Sequence, residues 1–259
     1  MKTIIAKKTR VFVDSWVMFK RCLLTSLRNP EALITAIIMP AAVMWLFSVV
    51  LGNIVDVGDH NYIDFILPGI ILQTVAQGTF ATAISVSNDM TRGIIDRFRS
   101  MAISRSAVLI GHALASIVRN IITTTIVIGM AFALGFRSQA GFVDWLVIAG
   151  ILILFMLSVT WIAVVCGLSA KTPESTVSML YILAILPYIS SGFAPTDTIS
   201  GWIKWFVKYQ PMTPIIDSLR ARMLNIPAYD ALPAALIWSV GITVVAFIVA
   251  LQIYKRKLS

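Results

Sequence analysis

Six apolar runs, punctuated by glycine, proline or charged residues, divide the chain near 33–52, 63–86, 107–135, 144–170, 175–194 and 231–254. A helix needs about 20 mostly apolar residues to cross a hydrocarbon core of roughly 30 Å, so each run is long enough to span a bilayer. The fourth and fifth are separated only by Lys171, Thr172, Pro173 and Glu174. A proline and two charges at that point predict a tight hairpin at the membrane surface rather than one long helix. The expected fold is all-α: a polytopic membrane protein with six transmembrane helices in one transmembrane domain over residues 1–259. No segment repeats, which argues for a single set of spans rather than a duplicated one.

Three polar intervals carry a helical pattern of their own. Within 1–30, Phe12, Trp16, Phe19, Leu23 and Leu27 recur at helical spacing, with Asp14, Arg21, Thr25 and Arg28 on the opposite side. This predicts an amphipathic helix lying along the inner membrane surface and ending where Asn29 and Pro30 turn the chain. Within 195–230, Trp202, Trp205, Phe206 and Tyr209 form an aromatic side, and Thr213–Pro214 opens a stripe of Ile215, Leu219 and Met223. Two short helices half-buried in the outer leaflet are expected there. The interval 87–106 contains NDMTRGIIDRFRSMAISR, in which Ile94, Phe98 and Met101 form a stripe beside Arg92, Asp96 and Arg99. Docking of this loop onto a cytoplasmic partner accounts for its charge density better than floating on lipid headgroups.

Composition fixes the solvent: the chain is 58% hydrophobic and 13% charged, with a mean hydropathy of +0.88. That is a bilayer protein, not a water-soluble domain. The net charge of +9 sits in loops between apolar runs and forms no basic stripe with interleaved aromatics, so no nucleic-acid partner is expected. It reads as topology. Short loops rich in Lys and Arg stay cytoplasmic, and they are the N-terminal segment, the 87–106 loop and the tail at Lys255, Arg256 and Lys257. Asp56 and Asp59 lie in a cation-free loop that belongs outside. A multi-pass plasma-membrane protein with both termini in the cytoplasm follows, and Met1–Arg10 lacks the apolar core of a removable signal peptide.

Several chemistries are excluded at once. None of the 14 glycines is followed by Lys, so the phosphate loop GxxxxGK[ST] is missing. With only His60 and His112 and no HExxH, there is no metalloprotease constellation, and no metal site or catalytic residue is expected. Cys22 and Cys166 have no spacing suited to a disulfide or zinc and read as inert thiols. Polar residues within spans are more informative, because hydrocarbon penalises them and they turn towards a bundle interior or a water path. His112, Ser116, Arg119 and Thr123 follow spacings that place them on one helical face. An arginine there costs roughly 3 kcal/mol on insertion scales, which demands a carboxylate, carbonyls or water. Gln73 and Gln77, one turn apart, and Tyr181 and Tyr188 join it as candidates for a transport pathway or helix interface; helix-to-helix hydrogen bonding fits them as well as substrate contact.

At Pro68–Gln73 (PGIILQ), Asn88–Gly111, Ala133–Phe136 (ALGF), Arg28–Pro30 (RNP) and Tyr209–Arg220 (YQPMTPIIDSLR), the sequence resembles the membrane subunits of type-2 ATP-binding-cassette exporters. Within them it is similar to the daunorubicin-resistance permeases. It departs from the family at Ala102, where a proline is common. The resemblance implies a permease, not an enzyme, that moves an amphipathic drug, antibiotic or lipid-like substrate outward. It implies two cytoplasmic ATPase partners that hold ATP and Mg, a second permease copy or paralogue, and no cofactor in this chain. It makes Asp89, Arg92, Gly93, Asp96, Arg97, Phe98 and Arg99 the coupling loop. A polysaccharide or teichoic-acid export permease shares this architecture, and a secondary transporter or a membrane scaffold are rivals from other classes.

Overall fold

The computed structural model describes residues 2–28, 30–52, 54, 61–91, 105–196, 201–226 and 231–257, and every regular element among them is a helix. In chain order these are α1 (Lys2–Leu27), α2 (Pro30–Leu51), α3 (Tyr62–Gly78), α4 (Phe80–Thr91), α5 (Arg105–Ala133), α6 (Phe142–Ser169), α7 (Pro173–Ile185), α8 (Trp202–Tyr209), α9 (Met212–Leu224) and α10 (Ala231–Lys257). Among the described residues, four stretches are long and apolar enough to cross a membrane: α3 with α4, α5, α6 and α10. The apolar part of α2, Ala36–Leu51, and α7 are shorter.

The centre of the bundle is α3, in which every residue except Phe65 and Gln77 is buried. A helix apolar all round has no face to give to solvent, and it is wrapped here by α2, α5, α9 and α7. Leu67, Ile70, Ile71 and Leu72 pack with Phe136, Ile148 and Met156, and α9 adds Ile215, Ile216 and Leu219. A second cluster ties Trp161, Val164 and Leu168 of α6 to Tyr254 of α10 and Val86 of α4. The far side of α10 leaves Ile237, Val240, Val244, Val245 and Ile248 exposed, an apolar surface suited to lipid.

Three sequence expectations are modified. The run at 63–86 is not one straight helix, because α3 ends at Gly78 and α4 begins at Phe80. The Thr79 hydroxyl donates to the Ala76 carbonyl (2.6 Å), while the amides of Thr82 and Ala83 both turn to the Thr79 carbonyl (3.0 Å each). A glycine beside a side chain that competes for the backbone ladder is a recognised cause of a kink. The fifth run does not stay helical to 194: α7 stops at Ile185 and the chain proceeds in turns through 186–194. Pro187 brings no amide to extend the helix, and the following Ser-Ser-Gly favours turns. This segment presses on α3, where a β-carbon added at Gly69 would stand 2.8 Å from the Gly192 Cα.

The third change concerns α1. Phe12 and Trp16 are exposed at 76% and 58%, as expected of a membrane-facing side. A different face carries the packing: Ser15, Met18 and Cys22 are buried and lie on α5, whose Gly111 leaves room for the Met18 side chain. Their spacing of three and four residues is that of one helical stripe.

Between α7 and α10, α8 and α9 form as expected, with Trp202, Trp205 and Tyr209 exposed together. The Arg220 side chain holds this region to the bundle, with Nε on the Phe65 carbonyl (3.1 Å), Nη2 on the Ser191 carbonyl (2.5 Å) and Nη1 on Asp217 (2.9 Å). Its guanidinium stacks 3.8 Å from the centre of the Phe65 ring. Asp144 pairs with Arg222 (3.0 Å) across the start of α6.

Candidate functional site

Polar side chains of α1, α4 and α5 converge where these helices meet. Asp89, in the last turn of α4, is 6% exposed. Arg21 of α1 grips it with two parallel bonds, Nη1 to Oδ2 at 3.2 Å and Nη2 to Oδ1 at 3.0 Å. This forked geometry is the strong form of the Arg–carboxylate pair. His112 Nε2 of α5 lies 3.1 Å from Asp89 Oδ2, and its Nδ1 lies 3.5 Å from the Cys22 sulfur. An ionised carboxylate can only accept, so this contact places a proton on Nε2. One carboxylate thus joins three helices.

Two turns further along α5, Arg119 is 7% exposed. Its Nη1 donates to Ser26 Oγ of α1 (2.9 Å), and its Nη2 donates to the Gly78 carbonyl (2.8 Å) and to Thr82 Oγ1 (2.6 Å). The kink explains the second bond. In an unbroken helix the Gly78 carbonyl would take the Thr82 amide, but that amide has moved to Thr79, and Arg119 occupies the acceptor it left. Of the partners a buried arginine requires, the bundle supplies a carbonyl and hydroxyls. Among the described residues no carboxylate lies within ion-pair distance of Arg119.

All four residues expected on the polar face of α5 are buried: His112, Ser116, Arg119 and Thr123. Ser116 bonds Thr160 of α6 (3.0 Å), and the Thr123 hydroxyl folds back on the Arg119 carbonyl (3.2 Å). Gln73 is buried and donates through Nε2 to the Tyr188 hydroxyl, while Gln77 is half-buried. Tyr181 is 56% exposed, with its ring edge-on to Phe80. These residues do not form one constellation: Gln73 and Tyr188 sit at the 186–194 turns, and the α5 face points to α1, α4 and α6. Asp89, assigned to the coupling loop from the sequence, lies inside α4. The remaining loop residues, Arg92, Gly93, Asp96, Arg97, Phe98 and Arg99, lie outside the described residues.

Sequence reasoning missed Arg21, Cys22, Ser26 and Thr82 as members of this layer. A signal existed in α1, where Ser15, Met18, Cys22 and Ser26 are spaced three, four and four residues apart. A run of small or slender residues at that spacing marks close helix packing.

An all-helical bundle with several span-length apolar helices and a buried polar layer defines a multi-pass membrane protein. Residues 14–224 match the family model described as "ABC-2 type transporter", and the chain belongs to that family. It is 28% identical over 230 residues to a daunorubicin resistance ABC transporter permease protein of Streptomyces coeruleorubidus, covering 88% of this chain and 81% of that one. It is also 28% identical over 251 residues to a probable doxorubicin resistance ABC transporter permease protein of Mycobacterium tuberculosis, covering 95% and 90%. The resemblance drawn from PGIILQ, the Asn88–Gly111 stretch and YQPMTPIIDSLR is thereby borne out, as is the reading of the chain as a permease. In the fold two of those motifs share one buried cluster, through Ile70 and Ile71 of the first and Ile215 and Ile216 of the second.

Proposed function

We propose that this chain is the transmembrane subunit of an exporter that moves an amphipathic drug or antibiotic outward on energy from separate ATPase subunits. The observation that carries this reading is near full-length similarity to drug-resistance permeases in a chain with no phosphate loop of its own. ATP and Mg then belong to two cytoplasmic partners, and a second permease copy or paralogue completes the path. The chain forms one transmembrane domain whose six spans are α2, α3 with α4, α5, α6, α7 and α10, the short α7 continuing through the 186–194 turns. The loop over 88–105 receives the ATPase, and Asp89 ties its first turn to α1 and α5.

Co-expression with a cognate ATPase tests the coupling. Phe98→Asp removes the apolar stripe of the loop outside the bilayer. Membrane yield should hold, while ATPase co-purification and drug efflux fall about tenfold, the effect of losing one anchoring contact at an interface. Unchanged recovery together with unchanged efflux would take the loop out of the mechanism.

Orientation gives a separate expectation from the distribution of cations. In a background carrying Cys22→Ala and Cys166→Ala, Asp56→Cys and Ile226→Cys should react with an impermeant maleimide in intact cells. Lys8→Cys, Arg97→Cys and Lys257→Cys should react only after lysis. External labelling at position 97 would invert the assignment.

A further inference from the structure

The layer around Arg119 encloses a cavity of about 340 Å³ between α1, α4 and α5. Thr25, Ser26, Thr82, Ser85, Asp89 and Arg119 are part of its wall. Thr25 is exposed, so the cavity reaches the molecular surface. The charges in its wall are unequal. Asp89 is already taken by the forked bond from Arg21 and by His112. Arg119 has only neutral partners among the described residues, and its Nε is buried with no acceptor. One guanidinium therefore stands in a low-dielectric wall without an anion, next to a space large enough for several waters or one small polar group.

We propose that this cavity binds a phosphate group, with Arg119 as its counter-charge. A tetrahedral oxyanion offers acceptors in several directions, which suits a site whose donors come from three helices: the Arg119 guanidinium on α5, the Ser26 hydroxyl on α1, and the hydroxyls of Thr82 and Ser85 on α4. Prior neutralisation of Asp89 removes the repulsion that a carboxylate in the wall would otherwise exert. An acidic phospholipid is the expected carrier of the phosphate. The helix that forms one wall exposes Phe12 and Trp16, an apolar side suited to the headgroup boundary, so lipid phosphates reach the mouth of the cavity at high local concentration. Such a lipid would fasten α1 to α4 and α5 in the same place as the Arg21–Asp89 pair.

The full-length protein, delipidated in neutral detergent, provides the test. Thermal unfolding and native mass spectrometry are followed with phosphatidylglycerol, phosphatidylcholine and inorganic phosphate. The variants are Arg119→Gln, which removes the charge, and Ala81→Leu, which fills the cavity wall and leaves every charge in place. The wild type should gain stability from phosphatidylglycerol over phosphatidylcholine. Both variants should lose that difference, with apparent affinity reduced about tenfold or more, as for a lost charge-assisted bond. If inorganic phosphate gives the same variant-sensitive gain, the phosphate site stands and its source is a soluble anion. If neither anion gives a gain that the variants remove, the proposal is overturned. Should Arg119→Gln fail to fold, Ala81→Leu decides alone: full retention of lipid binding there excludes the cavity.

Discussion

Gly69→Ala should cost the protein about 5 °C or more in thermal unfolding, and Gly69→Leu should leave almost no folded material in the membrane. A β-carbon at position 69 would stand 2.8 Å from the Gly192 Cα and 2.9 Å from its carbonyl oxygen. Both obstacles are backbone, so no rotamer change relieves them. The whole 186–194 segment would have to retreat from α3. That retreat would break the bond from the Tyr62 hydroxyl to the Phe193 carbonyl (2.9 Å) and the hold of Arg220 on the Ser191 carbonyl. Gly192→Ala meets the same surface at 3.0 Å or more and should do less harm. The control is Gly150→Ala in α6, where nothing lies within 4 Å and alanine favours the helix by about 1 kcal/mol. Fluorescence-detected size exclusion after a heat step reads all of these, and a Gly69→Ala protein that melts with the wild type would refute the close approach.

Asp89→Asn is the second large effect. It leaves Arg21 and His112 facing an amide in place of a carboxylate, and breaking a buried pair from one side costs about 3–5 kcal/mol. The loss should fall towards the low end, because the Arg21 side chain is 38% exposed and can turn to water. The consequence extends beyond stability. Asp89 is in the last turn of α4, where the loop proposed to receive the ATPase begins, so efflux should fall further than membrane yield. The double variant Arg21→Gln with Asp89→Asn removes both charges and should recover part of the stability. Non-additivity of about 0.5–3 kcal/mol is expected for such neighbours. Strict additivity of the two single effects would show that the pair is not coupled.

How much of this was legible in the sequence depends on the range over which each feature is decided. The span-length helices follow from local hydropathy, and the aromatic side of α8 from helical spacing. The burial of His112, Ser116, Arg119 and Thr123 follows too, because their shared face and the penalty for polar groups in hydrocarbon are properties of one helix. What lies opposite that face is not. Arg119 is held through its two Nη atoms by a carbonyl released only because Thr79 diverts the backbone ladder, and by hydroxyls on two other helices. Hydropathy alone carries the fifth run through Pro187, although the proline and the Ser-Ser-Gly after it are turn signals. Here an apolar run marks a segment that packs on α3 through Gly192 without being helical. In α1 the aromatic stripe is the conspicuous pattern, but the quieter Ser15, Met18, Cys22 and Ser26 line makes the contact. A pattern of large residues shows where lipid lies; a pattern of small ones shows where another helix lies.

The contacts of α1 also bear on the order in which the protein is made. Arg21 is separated from Asp89 by 68 residues and Cys22 from His112 by 90, so α1 leaves the ribosome well before its partners exist. At about 5–20 residues per second, the interval is on the order of ten seconds. During that time the unsatisfied Arg21 side chain must stay in water while the helix is held nearby. The exposed face of Phe12 and Trp16 allows this, since it lets α1 wait on the lipid surface with its cations outward. Insertion of α4 and α5 then brings the carboxylate and the imidazole to a helix already waiting for them, and a segment synthesised before its partners becomes one of the last to lock.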